Sequence, residues 1–274
     1  MSDYVAVRDN IILKPVHNES IYNRVFVVSA YGGITNLLLE HKKNGTSGVY
    51  AEFANSLNDD SWMEAMEKLK QEIFSINQQL FKDKKTLNKA NEFIGERLDD
   101  AERVLADLQR LCQHGHFALD MHLATVREML ASIGEVHSAW NTAKLLQRDG
   151  INARFVDLSG WRMETAIPLD AHILRELDKI DVQKELPIVT GYAYCSEGLM
   201  ATFDRGYSEM TFSRLAVMSK ADEAIIHKEY HLSSADPRLV GAEKVVPIGR
   251  TNYDVADQLA NLGMEAIHPR AAKG

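Results

Sequence analysis

The chain has 274 residues and a net charge of −8, with 31 Lys and Arg against 39 Asp and Glu and no basic cluster. That balance argues against nucleic acid or an anionic membrane as a partner. Hydrophobic residues at 45% and charged residues at 26% are those of a soluble globular protein, and the length allows one large α/β domain or two small ones. Two distant cysteines, Cys112 and Cys195, make no disulfide framework, no apolar run reaches about 18 residues, and no basic-then-apolar leader opens the chain; a cytoplasmic location is expected.

In chain order, Val5, Val7, Ile11, Ile12 and Leu13 predict a short helix over 4–14. Arg24-Val-Phe-Val-Val-Ser29 is a continuous apolar run of strand length, as for a strand buried on both faces. It runs through Ala30-Tyr-Gly-Gly33 into a helix beginning at Ile34, the arrangement that sets backbone amides against an anion. Asn44 to Gly48 reads as a flexible lead-in. From Asn58 to Gln113 a helical hairpin is expected beside the sheet, with stripes at Met63, Met66, Leu69, Ile73, Ile76, Leu80 and at Ile94, Leu98, Ala101, Leu105, Leu108, Leu111, joined by Lys82–Lys85.

His122 to Arg148 is a further helical pattern with Gly134 in its middle, where a glycine often marks the close approach of another element. Strands are expected at Ile151–Asp157, Leu186–Tyr192, Ala224–His227 and Val245–Ile248, and a helix from Asn252 to Leu262. Strands alternating with helices predict an α/β fold with a mostly parallel sheet covered on both faces.

One polar stretch, Thr202-Phe-Asp-Arg-Gly-Tyr-Ser-Glu209, empties into the helical pattern Met210–Met218. Unpaired amides at such a helix start suit an anion, and Arg205 adds a planar fork for a carboxylate or phosphate; an ordinary loop with Ser208 as helix cap is the plainer alternative. Other polar residues stand just past strand ends: Ser29, Gly32 and Gly33, Ser159 and Gly160, Gly191, and His227 to Glu229. The chain has no Gly-x-Ser-x-Gly elbow, no His-Glu-x-x-His pair and no Gly-Lys-Ser/Thr phosphate loop, and the spacing Cys112-x-His-x-His116 fits no common metal site. No metal site is expected.

Taken together, several motifs resemble those of aspartate kinases. Val27-Val-Ser-Ala-Tyr-Gly-Gly-Ile-Thr-Asn-Leu-Leu38 resembles their strand and phosphate loop, Ser132-x-Gly-Glu135 their Gly-Glu pair, and Arg205-Gly-x-Ser208 part of their Gly-Arg-Gly-Gly-Ser-Asp motif. Ala235-Asp-Pro-Arg238 resembles their nucleotide segment and Leu262-Gly-x-x-x-Ile-His-Pro269 their C-terminal signature. The spellings Phe203–Glu209 and His227–Pro237 look most like the branch associated with ectoine synthesis.

The resemblance implies the amino-acid-kinase fold, a three-layer αβα sandwich with a mainly parallel central sheet, spanning 1–274 as one domain with the hairpin at about 58–113 as an insertion. It implies transfer of the ATP γ-phosphoryl group, with Mg²⁺ carried by the nucleotide, to the β-carboxylate of L-aspartate. By residue, Ser29, Gly32, Gly33 and Glu209 would serve the transferring phosphate. Thr35, Glu135, Arg205 and Ser208 would hold aspartate, Glu135 meeting its ammonium and Arg205 a carboxylate. His227, Lys228, Ser233, Asp236 and Arg238 would face the nucleotide. A homodimer or higher homo-oligomer is expected.

The chain also departs from the family pattern. Its opening Lys-x-Gly-Gly-Thr strand and its regulatory repeats have no counterpart here, so a fragment or a late-started frame, impaired in turnover, is expected. Tyr207 and Glu209 replace a Gly and an Asp, so this loop must be shaped differently. A non-catalytic binding subunit and a kinase for another carboxylate are the competing readings.

Overall fold

The fold is that of a computed structural model, which describes residues 4–14, 20–41, 44–55, 59–114, 116–203, 206–227, 233, 240–249, 252, 254, 255 and 258. Three strands form one parallel sheet in the order β1-β3-β2: β1 (Phe26–Val28), β2 (Ala153–Val156) and β3 (Leu186–Thr190). The central strand β3 is buried at every residue, which is why it reads as an unbroken apolar run. Pro187 is tolerated there because the Leu186 amide bonds toward β2, so the missing Pro187 donor faces the other side, before β1 begins opposite Ile188.

Side chains alternate across the sheet. Phe26, Val28, Ala153, Phe155, Leu186 and Ile188 share a cluster with Ala139, Ala143 and Leu146 of α6 (Asp120–Arg148). Val27, Val156 and Val189 join a cluster that holds Leu169 and Ile173 of α7 (Leu169–Leu177) and Met210 and Leu215 of α9 (Tyr207–Met218). Helices therefore lie on both faces of a parallel sheet, as the alternation of elements predicted.

Helices α4 (Ser61–Leu80) and α5 (Lys84–Cys112) form the expected hairpin. Asp83 accepts a hydrogen bond from the Thr86 amide and so starts α5 inside the stretch expected to be loop. The buried stripe of α4 runs through Trp62, Met66, Leu69, Ile73 and Asn77, one residue off the expected start, and leaves Met63 exposed. The hairpin packs on α2 (Ile34–Leu38), α3 (Val49–Asn55) and α6. It reaches the sheet through Phe93, edge-on to Phe155, and through Arg97, whose guanidinium lies between Phe93 and Trp161 and pairs with Asp157 at 2.5 Å.

Four local expectations are corrected. Residues 4–12 form α1 (Tyr4–Val7) followed by a π-helical turn at Arg8–Ile12. Asn44–Gly48 is a tight connection closed by a Glu40–Ser47 bridge, and α3 follows it directly. Ala224–His227 is not a strand: a short apolar run needs a neighbour to complete its ladder, and Ile225 is 46% exposed. At Val245–Ile248 only a single bridge forms, from Pro247 to Ser233. Most of the helix expected at Asn252–Leu262 lies outside the described residues.

Candidate active site

The polar residues of interest gather where β1 and β3 end. From Leu130 onward almost the whole of α6 is buried, and this stretch carries Ser132, Glu135, His137, Ser138, Asn141 and Thr142. Gly134 lets the turn after β1 approach: a Cβ there would stand 2.9 Å from the Ala30 Cβ and 3.2 Å from side-chain carbons of Ile34 and Leu38. The close approach expected at this glycine is made by the turn and α2 themselves.

Glu135, the next residue, is 1% exposed. Its Oε1 accepts from Ser29 Oγ (3.1 Å), at the end of β1, and from Ser208 Oγ (3.0 Å), in the first turn of α9. Its Oε2 has no hydrogen-bond partner among the described residues. Burial pushes the carboxyl up to about 7, against the pull of the Ser208 hydroxyl, the Ala30 backbone amide and the Ser29 and Tyr207 hydroxyls. A buried carboxylate with one free oxygen is a seat for a cation that brings its own hydrogen-bond donors, such as an ammonium.

Gly191, just past β3, completes the cradle. A Cβ at this position would collide with Glu135 Oε2 and stand 2.8 Å from Ser208 Oγ. Ser138, one turn along α6 from Glu135, donates to the Ser29 carbonyl (2.7 Å) and fixes that residue by its backbone as well. Gly191 was visible in the sequence as a strand-end glycine; Ser138 was not singled out, although its spacing from Glu135 puts both on one face of the helix.

Helix α9 begins at Tyr207 with Gly206 as its N-cap, so Ser208 is a helical residue and not the cap. Tyr207 is helical and buried, its ring edge-on to Tyr192 at 5.6 Å, which accounts for a bulky residue where a flexible glycine was the family expectation. A helix α8 (Leu199–Phe203) precedes it, its Met200 and Ala201 amides bonded to Glu128 of α6.

A cleft of about 1940 Å³ runs along the β1 edge of the sheet and is lined by Ser29, Gly32, Ser208, Glu209 and His227 among the expected site residues. Gly33 caps α2 with φ +87°, a conformation that requires glycine, and Thr35 lies in the first turn of α2. Neither Thr35 nor Ser233 takes part in the hydrogen bonds to Glu135, and Ser233 is bridged to Pro247. Arg205, Lys228, Asp236 and Arg238 lie outside the described residues. Among the described residues no group of three His, Cys, Asp or Glu side chains could hold a metal ion, and no helix is long and apolar enough to cross a membrane.

Residues 10–273 match the sequence profile of the Amino acid kinase family. The chain belongs to that family. It is 55% identical over 273 residues to the aspartate kinase Ask_Ect of Stutzerimonas stutzeri (strain A1501), a match covering 100% of the chain and 57% of that relative. It is 32% identical over 154 residues to the aspartokinase of Schizosaccharomyces pombe, covering 52% of the chain and 29% of the relative. Its fold is similar to that of E. coli aspartokinase III in complex with aspartate and ADP, with a TM-score of 0.65 over 90% of this chain and 52% of that one, at 21% identity. The chain spans between 29% and 57% of the length of these relatives.

Proposed function

We propose that this chain is the kinase portion of an aspartate kinase, transferring the γ-phosphoryl group of ATP to the β-carboxylate of L-aspartate, and that residues 1–274 act as one domain with the hairpin as an insertion. The observation that carries the reading is Glu135: buried, bridged by Ser29 and Ser208, with one oxygen free. The likeness to an aspartate kinase at 55% identity agrees with it. A cytoplasmic enzyme of aspartate-derived biosynthesis, in the ectoine branch and acting as a homo-oligomer, is the fuller form of the proposal.

In this reading the aspartate ammonium sits on Glu135 Oε2, Ser208 and Thr35 hydrogen-bond the substrate, and Arg205 grips a carboxylate with its two-pronged fork. Pairing with the ammonium returns Glu135 to its charged form, so the substrate completes the site on binding. Ser29 and the Gly32 and Gly33 amides then face the phosphoryl group in flight, where fixed donors stabilise charge without reorganising. Glu209, which lines the same cleft, serves the transfer, and His227, Lys228, Ser233, Asp236 and Arg238 flank the nucleotide. Mg²⁺ suits this arrangement as an ion held mainly by the triphosphate, which asks for few protein carboxylates.

The test is hydroxylamine trapping of the acyl phosphate, with the full reading frame that contains this chain, ATP, Mg²⁺ and L-aspartate. Aspartate-dependent hydroxamate is expected, and the Arg205→Ala variant should raise the aspartate KM by about 10²-fold. Ligand binding with no hydroxamate above background would favour a non-catalytic binding subunit, and hydroxamate with glutamate or an N-acyl amino acid alone would favour another carboxylate.

A further inference from the structure

The hairpin meets the turn after β1 through a buried polar cluster that the reaction itself does not use. Asn77, on α4, is fully buried, and its Oδ1 accepts from Asn141 Nδ2 (2.8 Å) and lies 2.7 Å from His137 Nε2. Asn141 Nδ2 lies 3.0 Å from the same ring nitrogen, so two asparagines meet the imidazole at Nε2. Asn77 Nδ2 donates in turn to Asn91 Oδ1 of α5 (2.9 Å), so α5 holds the asparagine that meets the imidazole. The other face of the cluster is Tyr31, buried at 4% exposure, with its ring edge-on to His137 and the centroids 5.1 Å apart.

Tyr31 lies between Ser29, which bonds Glu135, and Gly32 and Gly33, which open α2. Three buried or half-buried asparagines linked around one imidazole are costly machinery for a core that apolar side chains could fill, and buried polar networks of this kind select one arrangement over others of similar packing. We propose that Asn77 and His137 are positioning residues for the Ser29–Gly33 turn, with the hairpin fixing the His137 ring and the ring fixing Tyr31. The kinetic consequence rests on the reading above, in which that turn faces the phosphoryl group; the structural consequence does not.

Two readouts separate them. The Ile34, Leu37 and Leu39 amides bond within the turn and α2, and the Gly191 amide bonds to the Val28 carbonyl in the sheet. In Asn77→Leu and His137→Leu, hydrogen exchange at the first three should quicken about tenfold while Gly191 is unchanged, and His137→Gln, which keeps a polar amide facing Asn77 and Asn141, should restore protection. In the two leucine variants kcat should fall about 10- to 100-fold with the aspartate KM changing by a smaller factor, because Ser208 still holds Glu135. If the leucine variants do not fold, Tyr31→Leu should give the same exchange pattern and the same kcat loss. Exchange at the turn that matches the parent in every variant overturns the proposal. Faster exchange with unchanged kcat upholds the positioning and overturns the phosphoryl role of the turn.

Discussion

Ser208 Oγ lies 3.0 Å from Glu135 Oε1, joining the first turn of α9 to the middle of α6 across 73 residues of sequence. Ser29 reaches the same oxygen from the end of β1, and Gly191 leaves room for the other. The strand ends, two helices and a glycine thus converge on a single carboxyl group whose protonation is set by its surroundings.

Aspartate binding should depend on pH through Glu135. Burial holds the carboxyl at about 7 in the free protein, and pairing with an ammonium favours the carboxylate. Below pH 7 the substrate must displace a proton, so the aspartate KM should fall as pH rises from 6 to 8 and level off above. Initial-rate kinetics over that range, with ATP saturating, provide the check; a KM flat across pH 7 would contradict it.

Folding stability should show two opposed effects between pH 7 and pH 5. Glu135 is raised from 4.5 to about 7, so as pH rises the unfolded chain ionises first and stability is lost. His137 is pushed by burial from 6.5 down to about 3, so as pH falls the unfolded chain takes up its proton first and stability is again lost. Each amounts to about 2 kcal/mol over this interval, with opposite sign. Relative to the parent, Glu135→Gln should lose about 2 kcal/mol on going from pH 7 to pH 5 and His137→Gln should gain about as much, as read by urea unfolding at both pH values.

Gly134→Ala should invert the usual helix preference. Alanine in a helix interior normally gains about 1 kcal/mol over glycine. Here its methyl group would press on the Ala30, Ile34 and Leu38 side chains, and a cost of about 1–3 kcal/mol is expected. Denaturant midpoints of the two proteins decide the sign.

Much of this was legible in the sequence because it is written in periodicity and in residues that tolerate few alternatives. The apolar run ending at Ser29, the stripes of the hairpin and the mid-helix Gly134 each place an element or a contact without knowledge of its partner. Glu135, Ser29 and Ser208 could be grouped as site residues on motif alone. What could not be read depends on distant partners: Ser138 donating to the Ser29 carbonyl, Asn77 gripping His137, and Arg97 spanning from the hairpin to Asp157. The Ala224–His227 run shows the converse error. Its composition suits a strand, but strand pairing is a property of two segments, and the described residues supply no second one.

Substrate choice tests the central claim most directly. Succinate is aspartate without the α-amino group, so it keeps every contact except the one assigned to Glu135. With the full reading frame, kcat/KM in the hydroxamate assay should favour aspartate over succinate by about 10³-fold or more, since a site built for a buried polar contact rejects a ligand lacking it. In Glu135→Gln that preference should shrink to about tenfold or less, through loss of aspartate activity. A Glu135→Gln enzyme that keeps the parental preference would contradict the account.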